Sequence, residues 1–319
     1  MKTIKTFKAK VNKKRSKKHL LNVQISKQLY AMCALPLFYI ILFSYVPMVG
    51  LILAFKKFKY NMGVFGSPWI GFKNFEFFFR SNDFWVITWN TLSMNFLFIV
   101  FGTLAAIVVA LLFYELRRKT TIKILQTILI TPHFLSWVVV AYMVYAILQP
   151  QYGFLNKILA VFNISPVDWY ATPSAWPYIL IIANIWKHVG MDCIIYYASL
   201  IGIDNSLTEA ARVDGATKMQ TIMHIIIPQL LILISIMVII KIGSIFRADF
   251  GLFYQLPMDA PQLYSVTDVV DTYLYRTLKQ SSNIGLSTAI GLLQSCVGFV
   301  LVILTNYFSK KIDEDMGLL

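Results

Sequence analysis

Residues 86–113 read VITWNTLSMNFLFIVFGTLAAIVVALLF, 28 residues without a charged side chain. About 20 apolar residues suffice to cross the hydrocarbon core of a bilayer as a helix. Lipid offers the backbone no hydrogen-bond partner, so a crossing segment must pair with itself as a helix or close into a barrel. The run lacks the ~10-residue alternation of a membrane barrel strand, which leaves the helix. Five further runs of the same kind occur at 29–54, 125–148, 175–200, 229–248 and 285–308. The expected fold is an all-α membrane protein with six transmembrane helices.

Composition agrees with the runs. The 319 residues are 58% hydrophobic and 14% charged, with a mean hydropathy of +0.65. A soluble domain carries roughly 25% charged residues, so this chain has too few to cover a water-facing surface. That excludes a free cytosolic enzyme, a disordered protein and a secreted disulfide scaffold. Cys33, Cys193 and Cys296 all lie in apolar stretches and form no CxxC pair. They read as small core residues, with no metal site implied.

The net charge of +14 does not indicate nucleic acid, because ten of the 29 basic residues crowd the N-terminal tail. A basic tail beside an apolar span stays in the cytoplasm and is drawn to anionic lipid. Tail and apolar run are both too long for a cleaved signal peptide. With the N-terminus inside, eighteen Lys and Arg fall on the cytoplasmic side and nine outside, with Lys187 and Lys241 inside spans. This bias predicts both termini in the cytoplasm, although Lys56, Lys57 and Lys59 follow the first span on its outer side. The expected organisation is a basic cytoplasmic tail at 1–28, a six-span membrane domain at 29–308 and a cytoplasmic tail at 309–319.

One inside segment does not read as a loop. Between the fourth and fifth runs stands NSLTEAARVDGATKMQ, residues 205–220. Ser206 with Glu209 reads as a capping box that starts a short helix. Leu207, Ala210, Ala211 and Val213 give it an apolar side, and Gly215 suits the left-handed residue that ends a helix. Thr217 with Gln220 repeats the box, so a second helix starts at once and runs to Pro228. The pattern alone fits either an amphipathic connector at the membrane surface or a docking element.

Residues 209–228, EAARVDGATKMQTIMHIIIP, resemble the signature of binding-protein-dependent ABC importer permeases. The match falls at Glu209, Ala210, Ala211, Asp214, Gly215, Ala216, Ile225 and Pro228, while Met219 stands where an aromatic is common. The resemblance implies a type I ABC importer permease fold in which residues 204–228 hold a coupling helix seated in a groove of an ATPase subunit. Gly71–Phe75 with Asn90-Thr91-Leu92 resembles sugar permeases of the maltose type. Trp186–Gly190 and Ser265–Arg276 resemble the branch that imports complex oligosaccharides.

The resemblance further implies a bacterial plasma-membrane location and four kinds of partner. These are a second six-span permease, two cytoplasmic ATPase subunits, an extracytoplasmic sugar-binding protein and an oligosaccharide substrate. No glycine is followed by Lys-Ser or Lys-Thr, so the chain has no P-loop for nucleotide phosphates. ATP and magnesium are therefore expected on the partner ATPase, with no cofactor, metal or catalytic residue on this chain. The rival class, an ion-driven secondary transporter, usually needs buried carboxylates, and the spans contain only Asp192.

Sugars are held by aromatic faces and by paired donors and acceptors. The candidates within the spans are Trp137, Tyr142, Asn184, Trp186, Lys187, Asp192, Lys241 and Gln294. Lys187 or Lys241 could meet an acidic sugar, or could reach a backbone carbonyl, a partner subunit or the headgroup layer. Residues 249–284 form the most polar connection, with Asp249, Asp259, Asp268 and Asp271, and are expected to meet the binding protein.

Overall fold

The structure, a computed structural model, describes residues 27–116 and 118–312. Residues 1–26 of the expected basic tail, and 313–319 of the expected C-terminal tail, lie outside the described residues. The chain divides into two compact units, Met1–Ile52 and Leu53–Leu319. The described residues are almost wholly helical; their only β pairing is an isolated antiparallel bridge between Lys56 and Trp69.

Helix α1 (Lys27–Ile40) continues through a π turn, Ile41–Tyr45, into the 3₁₀ stretch Val46–Phe55. The π turn ends two residues before Pro47, and the Val46 N–H donates to the Ile41 carbonyl, five residues back. A proline has no N–H to donate and its ring crowds the carbonyl four residues before it. Widening the preceding turn accommodates that gap. The same device recurs later in the chain, where the Ile227 N–H donates to the Ile222 carbonyl just before Pro228.

In the second unit, α2 (Lys73–Arg80) leads to the 33-residue helix α3 (Asp83–Glu115). After α3 come α4 (Lys119–Ile130), α5 (Trp137–Leu148), α6 (Phe154–Val161) and α7 (Trp176–Ile201). A short helix α8 (Asn205–Val213) precedes α9 (Lys218–Thr221), which passes through the π turn Ile222–Ile226 into α10 (Ile227–Gly243). The connection that follows holds α11 (Phe250–Gln255) and α12 (Val270–Ser281), before α13 (Ile284–Ile312).

Among the described residues, five helical stretches are long and apolar enough to cross a membrane: Met32–Phe55, Asp83–Glu115, Pro173–Ile201, Lys218–Gly243 and Ile284–Tyr307. The sixth expected run, 125–148, is not one straight helix. Lys119–Phe134 and Trp137–Leu148 meet at 99°, and count as a single span only if the broken pair crosses together. The break has local causes. Pro132 opens a 3₁₀ turn over Thr131–Phe134, and the Ser136 hydroxyl accepts the Val139 N–H to start a new helix.

Packing is most extensive between α3 and α7. Buried Ile87, Met94, Ala106, Ala110 and Phe113 share a stripe of α3 at helical spacing. Ala106 and Ala110, four residues apart on this face, let a neighbouring helix pack without a large side chain between. Their partners on α7 include fully buried Cys193, Tyr196 and Leu200. The opposite faces carry Phe101, Leu104, Val108 and Leu112 outward, as expected where lipid is the solvent.

Lys56, awkward for topology in the sequence, is buried. Its ammonium donates to the carbonyls of Val64 at 3.1 Å and Phe65 at 2.7 Å. The four acids of the 249–284 connection are likewise internal ties rather than a free acidic surface. Asp268 is buried against Arg276, Asp259 lies 3.8 Å from the same guanidinium, and Asp271 accepts the Ala248 N–H at 2.8 Å. Asp249 caps α11. From α3, Asn90 donates to the Ser265 and Asp268 carbonyls and Thr91 accepts the Val270 N–H, fixing this connection to the bundle.

Candidate functional site

A cavity of about 330 Å³ opens between α3, α7 and the end of α10. Its walls carry Asn95 and Phe98 from α3, Asn184, His188 and Asp192 from α7, and Lys241 from α10. The floor is non-helical backbone, residues 244–249, which presents Arg247 and Asp249. Irregular backbone at this position is acceptable because it lines a cavity and because neighbours bind its polar groups.

Those ties come from four helices. Asn95 on α3 donates to the Ile245 carbonyl at 2.8 Å and the Arg247 carbonyl at 3.3 Å. Gln294 on α13 donates to the Phe246 carbonyl and to Asp271, both at 2.9 Å. Trp137, at the start of α5, donates its indole N–H to Asp249 at 2.7 Å. Asp271 on α12 takes the Ala248 N–H. Gly251 permits this approach, since a Cβ there would lie 2.2 Å from the Trp137 ring.

Lys187 does not face the cavity. Its ammonium donates to the carbonyls of Pro132, His133 and Leu135 at the break between α4 and α5, and lies 4.9 Å from the Trp137 ring centroid. A broken helix leaves carbonyls without partners, and Lys187 supplies the donor. Three residues on, a Cβ at Gly190 would lie 1.9 Å from the Leu129 carbonyl oxygen, so glycine alone allows α7 to seat the broken pair.

Of the eight residues expected along a substrate path, Asn184, Asp192 and Lys241 line the cavity. Trp137, Lys187 and Gln294 support its frame from behind. Tyr142 and Trp186 are exposed on the outside of this chain and do not line it. Asn95, His188 and Arg247 are not among those candidates, and the sequence places Asp249 in the connection expected to meet the binding protein rather than in a cavity. Arg247 and Asp249 fell at the edge of the expected fifth run, 229–248, whereas the helix stops at Gly243.

At the other end of α10, the segment read from sequence forms two helices at a sharp turn. The start differs from expectation. Asp204, not Ser206, caps α8, accepting the Ser206 N–H at 2.9 Å, and Glu209 is exposed without a bond back to the helix start. The carboxylate two residues earlier is the stronger acceptor and starts the helix sooner, which places Ser206 inside the first turn. Its hydrogen bonds from Ser206 hold the Asp204 carboxyl below the usual carboxylate range.

The end matches expectation. Gly215 has φ +82°, and the Ala216 N–H donates back to the Ala211 carbonyl at 2.9 Å. Thr217 and Gln220 form a capping box, with the Thr217 N–H 2.8 Å from the Gln220 side-chain oxygen. Ala211 and Ala216 are half-buried, and Ala210, Asp214 and Gly215 are exposed. Leu207, Val213, Met219 and Met223 expose apolar side chains along the segment. Lys218 reaches Glu115 at the end of α3, at 2.6 Å.

The family described as binding-protein-dependent transport system inner membrane component matches residues 99–314, well over half of the chain. This chain belongs to that family. The permease is 32% identical over 303 residues to a polygalacturonan/rhamnogalacturonan transport system permease protein of Bacillus subtilis, covering 95% of this chain and 94% of that one. It superposes with a TM-score of 0.82, at 34% identity, on a chain of a bacterial alginate ABC transporter in complex with an alginate pentasaccharide-bound periplasmic protein. That match covers 91% of this chain and 96% of the other. A chain of a bacterial ABC transporter that imports the acidic polysaccharide alginate gives 0.83, also at 34%, covering 93% and 99%. The permease therefore has the type I ABC permease fold and is a multi-pass protein of the bacterial inner membrane.

Proposed function

We propose that this permease is one of two membrane-spanning subunits of an importer for oligosaccharides. An extracytoplasmic binding protein delivers the sugar, and ATP hydrolysis on separate subunits drives uptake. The observation that carries this reading is likeness over nearly the whole length to a polygalacturonan/rhamnogalacturonan transport permease and to a chain of an alginate ABC transporter. The positive-inside bias supports both termini in the cytoplasm, with residues 204–228 on the same side.

The geometry supports a route for the driving motion. Residues 206–220 present exposed Leu207, Ala210 and Val213, which an ATPase surface can cover. Gly215 makes the turn, and the Thr217 cap starts a helical stretch that runs unbroken from Lys218 to Gly243. At 1.5 Å per residue those 26 residues span about 39 Å. A displacement at the segment thus reaches Lys241 and the 244–249 floor through a single rigid element. The Lys218–Glu115 contact couples the segment to α3 as well. ATP closure of the partner subunits would switch the cavity from inward- to outward-facing, with ATP and magnesium held by those partners.

An ion-driven mechanism is disfavoured by Asp192, the one carboxylate expected inside a span. It is bound to Lys241 at 2.6 Å and leaves no open carboxylate relay. The test is purification of the tagged protein in mild detergent, with mass spectrometry of what accompanies it. Recovery with a second permease and a Walker-motif ATPase supports the reading; a homo-oligomer without ATPase overturns it.

A further inference from the structure

The cavity contains four charged side chains, and three are already engaged. Asp192 and Lys241 neutralise one another. Asp249 accepts the Trp137 indole at 2.7 Å through one carboxylate oxygen and the Leu252 N–H at 3.3 Å through the other. Arg247 is the remaining one. Among the described residues its guanidinium has neither a hydrogen bond nor an ion pair, and it is exposed to the cavity.

Its backbone, by contrast, is fixed. The Arg247 carbonyl and its neighbours are tied to Asn95, Gln294 and Asp271. A free cationic fork on an anchored loop is pre-organised, so little backbone freedom is lost when it binds. Asn184 and His188 also line the cavity without a hydrogen-bond partner among the described residues. What remains is rich in donors. Asp249 keeps its charge, since an indole and a backbone N–H do not neutralise it, but both of its oxygens already accept a bond. The Arg247 charge is felt by Asp271 without a direct contact.

We propose that Arg247 binds the carboxylate of an acidic sugar unit in this cavity, with Asn184 and His188 as flanking hydrogen-bonding groups. The inference rests on the oligosaccharide-importer reading and adds the charge class of the substrate. Guanidinium suits the task because its planar N–H groups meet both oxygens of a carboxylate, which ammonium cannot do. Phe98 contributes an apolar wall on which a sugar face can rest.

The test uses the assembled transporter in proteoliposomes with its binding protein. Two probes are compared, trigalacturonate and its fully methyl-esterified form, which differ in charge and not in ring structure. Arg247→Gln is expected to lower trigalacturonate uptake about ten- to a hundredfold relative to the ester, the loss of one charge-assisted pair. Arg247→Lys, which keeps the charge but not the fork, should recover part of it. Comparing ratios with the parent cancels any preference of the binding protein. An equal loss for both probes assigns Arg247 to structure or to a partner contact and overturns the proposal. Unchanged uptake of both also overturns it. If the parent transporter takes up neither probe, the oligosaccharide reading itself fails, a result distinct from the other two.

Discussion

The Lys241 ammonium on α10 lies 2.6 Å from the Asp192 carboxylate on α7, with the two side chains 26% and 21% exposed. The pair joins two helices across the cavity at one end of the helical stretch that starts just after the Gly215 turn. Truncating one partner leaves the other partly buried without compensation, which costs more than the pair itself is worth. Lys241→Met and Asp192→Asn should each lower the melting temperature of the assembled transporter. Lys241→Met combined with Asp192→Asn should cost less than the two single losses summed, with a coupling of about 1–3 kcal/mol in the double-mutant cycle. Additive effects would show that the contact is not formed in the working protein.

A second prediction concerns the seat of the broken span. Gly190→Ala would place a Cβ 1.9 Å from the Leu129 carbonyl oxygen, backbone that cannot step aside. That variant should accumulate poorly in membranes, whereas Gly102→Ala, with nothing within 4 Å of its new Cβ, should be tolerated. Lys187→Met should also destabilise, by about 1–3 kcal/mol for a carbonyl left without a donor. Equal membrane levels of the Gly190 and Gly102 variants would contradict the close approach.

The turn at Gly215 separates backbone strain from packing. Its φ is +82° and a Cβ there would meet nothing within 4 Å. A β-branched residue is strained in that conformation whatever the space, at a cost of about 1–2 kcal/mol. Gly215→Val should therefore uncouple ATP hydrolysis from uptake while the spans remain inserted, and Gly215→Asn should retain most coupling because Asn tolerates the left-handed region. Normal uptake by the Val variant would count against the turn as a coupling element.

These residues also show what the sequence could and could not disclose. The stop at Gly215 and the box at Thr217–Gln220 are written within a few residues, so they were legible. The spans were legible because hydropathy accumulates along a run. The cap at Asp204 was missed because two neighbouring acceptors compete and the stronger begins the helix sooner. The 99° break within 125–148 was hidden because Pro132 and Ser136 sit in an otherwise uninterrupted apolar stretch. The partners of Lys187, at Pro132 to Leu135, and of Asp192, at Lys241, lie about fifty residues away, and no local pattern announces them. Arg247 fell at the edge of the expected fifth run, which the structure ends at Gly243, so its place in the cavity wall could not be read.

Acid titration offers a fourth prediction. Burial pushes the Asp271 carboxyl above the usual carboxylate range, against the opposing pull of its bonds from Ala248 and Gln294. The folded chain then binds this proton more tightly than the unfolded chain does. Its contribution to stability falls as pH rises from about 4, the unfolded value, through the raised folded pKa, and is flat above. Asp271→Asn keeps an accepting oxygen and carries no charge to bury. It should be at least as stable as the parent at pH 7 and lose this pH dependence in thermal melts. Asp271→Ala removes the acceptor and should cost about 1–3 kcal/mol. An Asn variant as unstable as the Ala variant would contradict the assignment.

The most direct test of the central claim is sugar uptake into proteoliposomes that contain the purified transporter, with the energy source varied. The account predicts accumulation that requires ATP on the cytoplasmic side and the binding protein on the other, and that ionophores leave unchanged. Accumulation driven by a proton or sodium gradient in the absence of ATP would contradict it.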